Sequence, residues 1–387
     1  MSRIEDMTRT LCPNGVEFRE LGKMIKLNFG TRITRGDDAG TLYPVYGGGG
    51  ESFRTDKFNR EDEYVVSRFA ISATCVRKVK GKFWMLDSGF TFGSIDDSVD
   101  KDFVAYLLFN MQSEIYACSS QGAQKNLRTD DFKKIRLPAP PLEVQREIVD
   151  VLDLFTSLAA ELGTELEARR RQYSYYRDRL FVFPGADGVH RVPMGKLGEF
   201  VRGRRFTKDD VVDDGIPSIH YGEIYTHYGV ATTSTISHVR NELAGQLRYA
   251  QPNDVVIASV GETVEEVAKA VAWLGNEPVA IHDDTFLFRS DLNPKYVAYF
   301  MQTADFHGQK SKHVARAKVK RLSGEGLAKI TIPVAPREEQ ERIVSILDKF
   351  EALVNDRSIG IPAELDARRK QYEYYRDRLL TFKELAA

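Results

Sequence analysis

The stretch ARRRQYSYYRDRL at residues 168–180 returns as ARRKQYEYYRDRL at residues 367–379, with eleven of thirteen positions identical. A second shared block precedes each copy. Residues 134–155 read KIRLPAPPLEVQREIVDVLDLF and residues 329–350 read KITIPVAPREEQERIVSILDKF, eleven of twenty-two identical. A duplication of this extent, once mid-chain and once near the end, implies a molecule with two equivalent ends.

Both copies read as helix. In the first, Ile148, Phe155, Leu162 and Tyr176 share one heptad series with Arg169 in register between them, and Leu152, Ala159, Leu166, Tyr173 and Leu180 form its companion. That period, held for about five heptads, predicts a coiled-coil seam. Pro138, Pro140 and Pro141 set its start and Pro184-Gly185 its stop. A helix over 143–183 would be ~60 Å long, and Gly163 within it costs about 1 kcal/mol relative to alanine. The second copy carries four extra residues around 357–362, including Gly360 and Pro362. This predicts an interruption there, with Pro362 in the first turn of a new helix. One chain buries two such seams best by pairing them, and the connectivity predicts an antiparallel pair.

Four segments result: a first variable domain at 1–137, a central helical spacer at 138–184, a second variable domain at 185–332 and a C-terminal helical spacer at 333–387. The variable segments share faint kinship. Gly30-Thr31-Arg32-Ile33-Thr34 matches Gly203-Arg204-Arg205-Phe206-Thr207, and at the same offset Pro44 matches Pro217. Phe103-Val104-Ala105-Tyr106 matches Tyr296-Val297-Ala298-Tyr299, and Leu21-Gly22 matches Leu197-Gly198. Short β-branched or aromatic runs at 64–67, 91–92, 254–258 and 285–288 read as strands, and 102–116 and 294–304 as helices. The fold class is α+β: two pseudo-symmetric domains separated by a pair of long antiparallel helices. The domains then sit at opposite ends of a rod, and the helices act as a ruler.

At 387 residues the chain exceeds a single core. Its 42% apolar and 29% charged content is that of a water-soluble globular protein. No apolar run approaches the ~20 residues of a membrane span. MSRIEDMTRTLC at the start has no export pattern, and Cys12, Cys75 and Cys118 are too few and unevenly spread for a disulfide framework. A reducing cytoplasm is the expected setting. The net charge of −1 leaves room for local basic patches but not for a wholly basic surface.

Catalytic signatures are missing from the sequence. A methyltransferase needs an [N/D/S]-P-P-[Y/F/W] loop, and the one Pro-Pro pair lies in Ala139-Pro140-Pro141-Leu142. Asp131-Phe132-Lys133 resembles a nuclease fragment only loosely, and its repeat equivalent is Gly326-Leu327-Ala328. Gly47–Gly50 is no Walker loop, since no GK[ST] comes after it. All seven histidines lie at or beyond position 190 without ligand spacing, so no metal is expected.

The run Gln121-Gly122-Ala123-Gln124-Lys125-Asn126-Leu127, followed by KKIRLPAPPLEVQREIV, and ARRKQYEYYRDRLLTF near the end resemble the specificity subunit of type I restriction–modification enzymes. The likeness covers essentially the whole chain in domain order. It implies two target recognition domains, each reading half of a split, non-palindromic site in double-stranded DNA. It implies helical regions that hold two methyltransferase subunits, with motor-nuclease subunits joining for restriction. The chain itself would perform no chemistry. S-adenosylmethionine, ATP and Mg2+ would be bound by the partner subunits. The alternative is a DNA- or protein-binding scaffold of another multisubunit complex. One departure is that 121–127 finds no clear partner in the second half, where 309–318 takes its place.

On this reading the DNA contacts of the first domain are Arg32, Arg35, Gly48, Arg68, Gln121, Gln124 and Lys125. Those of the second are Arg204, Arg205, Lys208, Lys310, Lys312, His313, Arg316 and Lys318. Arginine and glutamine can bond base edges bidentately, whereas lysine mostly anchors phosphate; a solvated charged face remains the plain alternative. Consecutive glycines around Gly48 let backbone approach a phosphate or simply make a turn. For the Arg/Tyr block three roles stay open: methyltransferase docking, coiled-coil core with a solvated face, or phosphate tracking. The docking candidates are Arg170, Tyr173, Tyr176, Arg177, Arg369, Tyr372, Tyr375 and Arg376.

Overall fold

The seam forms where its period predicts. In the computed structural model, which describes residues 2–385 apart from 49, 123, 186–188, 316–317 and 357, Leu142–Leu180 is one helix of 39 residues, about 58 Å long at 1.5 Å per residue. The C-terminal copy is broken into Arg337–Val354 and Ile361–Leu379. Pro362 is the second residue of the last helix, as its position implies. Gly360 closes the break, because a Cβ there would lie 2.4 Å from the carbonyl oxygen of Ala352.

The chain divides into two compact units, residues 1–161 with 365–387, and residues 162–364. Each unit therefore combines a variable domain with parts of both helical repeats. In the first, Phe155 stacks on Tyr375 with centroids 5.4 Å apart. In the second, Tyr176 stacks on Phe350 at 5.9 Å. Phe350 is the repeat equivalent of Phe155 and Tyr375 that of Tyr176, so one contact is made twice with the roles exchanged.

The first unit's sheet has six strands in the order Ile25–Phe29, Gly89–Ser94, Arg60–Ser67, Val76–Met85, Tyr43–Tyr46 and Glu51–Thr55. All its pairings are antiparallel except Tyr43–Tyr46 on Val76–Met85. Alternation along these strands points Phe90 and Phe92 inward onto Phe103 of the helix Lys101–Asn110, and all three are fully buried. The helix expected over 102–116 is two helices, Lys101–Asn110 and Gln112–Ala117. The break at Met111 frees Gln112 to dock its amide on a strand end: Oε1 accepts from Cys75 N–H at 2.8 Å and Nε2 donates to the Val76 carbonyl at 2.8 Å.

The second unit repeats this plan with one change. Gly198–Arg202, Thr285–Ser290, Val255–Ala258, Ala270–Trp273 and Ala231–Thr232 form one five-stranded sheet. Val211–Val212, Ser237–Val239, Ile216–Ile219, Val279–Ile281 and Tyr249–Ala250 form another. The strand that runs unbroken as Val76–Met85 is here interrupted at 274–278, LGNEP, whose Gly275 and Pro278 suit a turn rather than a ladder. The expected helix over 294–304 ends at Phe300, and Thr303 caps a new one by accepting from Phe306 N–H.

Duplicated polar contacts tie each domain to its helix. Gln145, buried, donates to the carbonyls of Pro140 and Ser98 and accepts from Asp100 N–H. Gln340 donates to the Ala335 carbonyl and accepts from Asn293 N–H. Tyr106 donates to Asp153, and Tyr299 to Asp348. Buried groups satisfied in the same way twice fix the same helix-to-domain junction twice.

Candidate nucleic-acid interface

Two glycines set the geometry. A Cβ on Gly30 would lie 2.1 Å from the Leu86 carbonyl oxygen and 2.4 Å from that of Met85; on Gly203 it would lie 2.1 Å from His282 O and 2.4 Å from Ile281 O. The next amides repeat the match, with Thr31 N–H on Met85 O at 2.9 Å and Arg204 N–H on Ile281 O at 3.0 Å. Only glycine permits so close a backbone crossing. The chain therefore leaves the sheet at the same point in both units, carrying exposed Arg32 and Arg35 in one and exposed Arg204, Arg205 and Lys208 in the other.

A second pair of loops lies beside the end of the central strand. Residues 119–127 close through a Ser119–Leu127 bridge and residues 314–322 through a Val314–Leu322 bridge. Leu127 N–H donates to Arg68 O at 2.8 Å, and Leu322 N–H to Ser259 O at 3.0 Å. Arg68 N–H meets Ser88 O at 2.9 Å, and Ser259 N–H meets Asp284 O at 2.8 Å. Arg68 and Ser259 are thus equivalent. Leu127, which ends the run that finds no partner by sequence, corresponds in space to Leu322.

In the first unit the structure gathers Gln121 and Gln124, both exposed, and half-buried Lys125 beside Arg68, whose guanidinium lies over the Phe29 and Phe69 rings. Arg35 leans over Phe53 on the neighbouring strand and bonds the Ser52 carbonyl. Gly48 does not line this face. It is buried, its carbonyl accepts from Ser67 Oγ at 2.7 Å, and a Cβ would meet Phe69 O at 2.0 Å. Close packing of two loops, not phosphate approach, explains that glycine.

In the second unit Lys312 and Lys318 are exposed and His313 is half-buried; Arg316 lies outside the described residues. Lys310 does not lie on this face. It is 1% exposed, and its ammonium donates to the carbonyls of Glu265 and Val267 at 2.7 and 2.6 Å. Burial pushes its pKa down to about 8. It is an internal strut of the 262–267 loop, a place that a run of basic residues in sequence does not reveal.

The docking candidates divide similarly. Tyr173 is buried, half-buried Tyr372 packs into the first unit's core, and Tyr176 and Tyr375 make the paired stacks. Arg177 lies over Tyr173 and Arg376 over Tyr372. These six belong chiefly to the helical seams, because heptad positions face the partner helix. Arg170 and Arg369 are exposed, and so are Tyr175 and Tyr374, which sequence reasoning passes over. Their recurrence in both copies is the available signal.

Two further features bear on binding, the first of them plain in the sequence as the run RKVKGK at 77–82. Arg77, Lys78, Lys80 and Lys82 crowd one strand of the first unit. The second unit has a groove of 1880 Å³ lined by Tyr225, His227, Glu262, Lys269 and Lys318 among others. His282, Asp283 and Asp284 also meet closely enough to suggest a metal site. The ring nitrogens are engaged, however: Nδ1 accepts from Asp284 N–H at 3.2 Å and Nε2 faces Phe206 O at 3.1 Å. Asp284 is paired with Arg321 and Asp283 with Arg202. Each of the three groups is thus already engaged by the protein.

A framework that keeps its core, junctions and backbone crossings in duplicate, while changing the residues on its loops, presents two different surfaces on one repeated plan. Comparison with known proteins agrees. Residues 13–169 and 187–367 each match the model of the type I restriction modification DNA specificity domain, and the chain belongs to that family. It is 29% identical over 355 residues to a Haemophilus influenzae chain provisionally named a type I restriction enzyme specificity subunit, covering 88% of each. It is 29% identical over 294 residues to the EcoR124I/EcoR124II specificity subunit of Escherichia coli, covering 72% of this chain and 70% of that one. The S subunit structure from M. genitalium shares its fold, with a TM-score of 0.57 over 95% of this chain and 96% of that chain at 18% identity. The protein is a DNA sequence-recognition subunit of a type I restriction–modification system.

Proposed function

We propose that each unit reads one half of a bipartite, asymmetric DNA site, and that the helical repeats set the distance between the halves. Equivalent surfaces on the two repeats each hold one methyltransferase subunit, giving two in the complex, and motor-nuclease subunits join for restriction. The chain contributes no catalytic group. It directs adenine-N6 methylation or cleavage performed by its partners, which bind S-adenosylmethionine, ATP and Mg2+, in the cytoplasm. Among the described residues no helix is long and apolar enough to cross a membrane.

The observation that carries this reading is the pair of equivalent loops, 119–127 and 314–322, on a common framework but with different side chains. The duplicated helix junctions suit two copies of one partner, and the differing loops suit two different half-sites. Base edges in the major groove are read by such side chains, and phosphates by the surrounding lysines. The exposed Arg170 and Tyr175, with Arg369 and Tyr374, are the residues left to meet the methyltransferase once the seam has taken its own. The test is single-molecule sequencing of methylated adenine in cells carrying the cognate methyltransferase, with and without this chain. Loss of one split motif on deletion is the expected result. An unchanged methylome refutes the proposal.

A further inference from the structure

We propose that Arg68 reads a guanine in the half-site of the first unit, held for that task by the rings of Phe29 and Phe69. The proposal rests on the DNA-reading function above and adds to it one base and one residue. The backbone of Arg68 is pinned from both sides, its N–H on Ser88 O at 2.9 Å and its C=O on Leu127 N–H at 2.8 Å. Its guanidinium carbon lies 5.3 Å from the Phe29 centroid and 4.8 Å from that of Phe69. Phe29 is itself set edge-on against fully buried Phe90 at 5.5 Å. Yet Phe29 and Phe69 are 45% and 37% exposed, so the cation they hold is at the surface and not in the core.

The donors of that cation are unspent. No described residue accepts a hydrogen bond or forms an ion pair with the Arg68 side chain, whereas Arg60, on the same sheet, bonds Thr91, Asn59, Asn28 and Phe29. Arg77 bonds the Gly47 carbonyl and Arg35 that of Ser52. Arg68 thus has restricted rotamer freedom and an open planar fork, the combination that lowers the ordering cost of bidentate recognition. Guanine offers O6 and N7 at the spacing of that fork, whereas a phosphate contact needs only charge and reach. Arg32, exposed and with neither ring nor hydrogen-bond partner among the described residues, suits the latter. In the second unit the equivalent of Arg68 is buried Ser259 and that of Phe29 is Arg202, so the device exists in one unit alone.

The experiment uses the purified complex of this chain with its methyltransferase subunits and duplexes carrying the methylated motif. Replacing each motif guanine in turn by 7-deazaguanine removes N7 only. One position should weaken wild-type binding by about 5- to 150-fold, and that same replacement should cost nothing further in Arg68→Ala, which has no donor left to lose. Should Arg68→Ala fail to assemble, Phe69→Leu keeps the guanidinium and loosens it. Reduced discrimination at that guanine supports the proposal, and unchanged discrimination overturns it. Sensitivity that persists in Arg68→Ala overturns it too, as does equal weakening on all sequences with a shallower salt dependence. If wild-type complex shows no sequence preference at all, the DNA-reading function fails instead, which is a separate result.

Discussion

Deleting residues 159–162 tests the distance-setting role of the long helix. These residues, AAEL, lie near the middle of the unbroken helix Leu142–Leu180. Ala159 and Leu162 are half-buried, Glu161 is exposed and bonds Ser157 Oγ, and nothing lies within 4 Å of a notional Cβ on neighbouring Gly163. The deletion removes no fully buried side chain, although Leu162 packs at the edge of the second unit's core. It shortens the helix by ~6 Å and turns its C-terminal half by ~40°, nearly two base pairs at ~3.4 Å each. We expect the methylated motif to keep both half-sites and to lose one or two base pairs of spacer, read by single-molecule sequencing of adenine methylation. Replacing 159–162 by four alanines keeps the length and should keep the spacer. An unchanged spacer in the deletion variant would refute the reasoning.

Other outcomes rest on particular contacts. Gly30→Ala and Gly203→Ala drive a methyl into backbone carbonyls and should each destabilise the protein by about 1–3 kcal/mol or more, seen as a lowered Tm with either unit affected alone. Lys318→Ala should reduce the salt slope of DNA binding by about 0.9, whereas Lys310→Met should leave the slope unchanged and lower stability, because its ammonium serves two carbonyls. His307 is held near pKa 4, mainly by burial and then by Lys310 and Arg177, while an unfolded histidine titrates near ~6.5. Below pH 6.5 the unfolded chain gains a proton that the folded chain does not take up until about pH 4. This contribution is therefore fully present above 6.5 and is lost as pH falls through that window. His307→Gln should flatten Tm against pH between 6.5 and 4, and a slope equal to wild type would argue against this assignment.

Much of the site is legible in the sequence because repetition is visible without geometry. The match of 30–34 with 203–207 marks the two backbone crossings, and a glycine there is an identity that sterics demand. The pairing of Leu127 with Leu322 is not legible, since the two loops share their closing bridges and almost no side chains. Lys310 and Gly48 mislead for the same reason: a lysine in a basic run and a glycine in a glycine run look like surface until burial is known. The Tyr/Arg block reads too readily as docking surface, because heptad position alone does not say which tyrosine the partner helix takes.

By itself the sequence determined the duplication, the helical seam with its interruption at Gly360 and Pro362, the α+β class and the division into two variable domains. Those features come from periodicity, chain punctuation and internal identity, all of which are local or self-referential. Only the tertiary structure decided that Arg68 meets Phe29, that Lys310 is internal, and that Tyr175 and Tyr374 are the most exposed tyrosines of the repeated block. Each of these depends on segments tens to hundreds of residues apart meeting in space, and a linear pattern carries no record of which side chains a fold brings together.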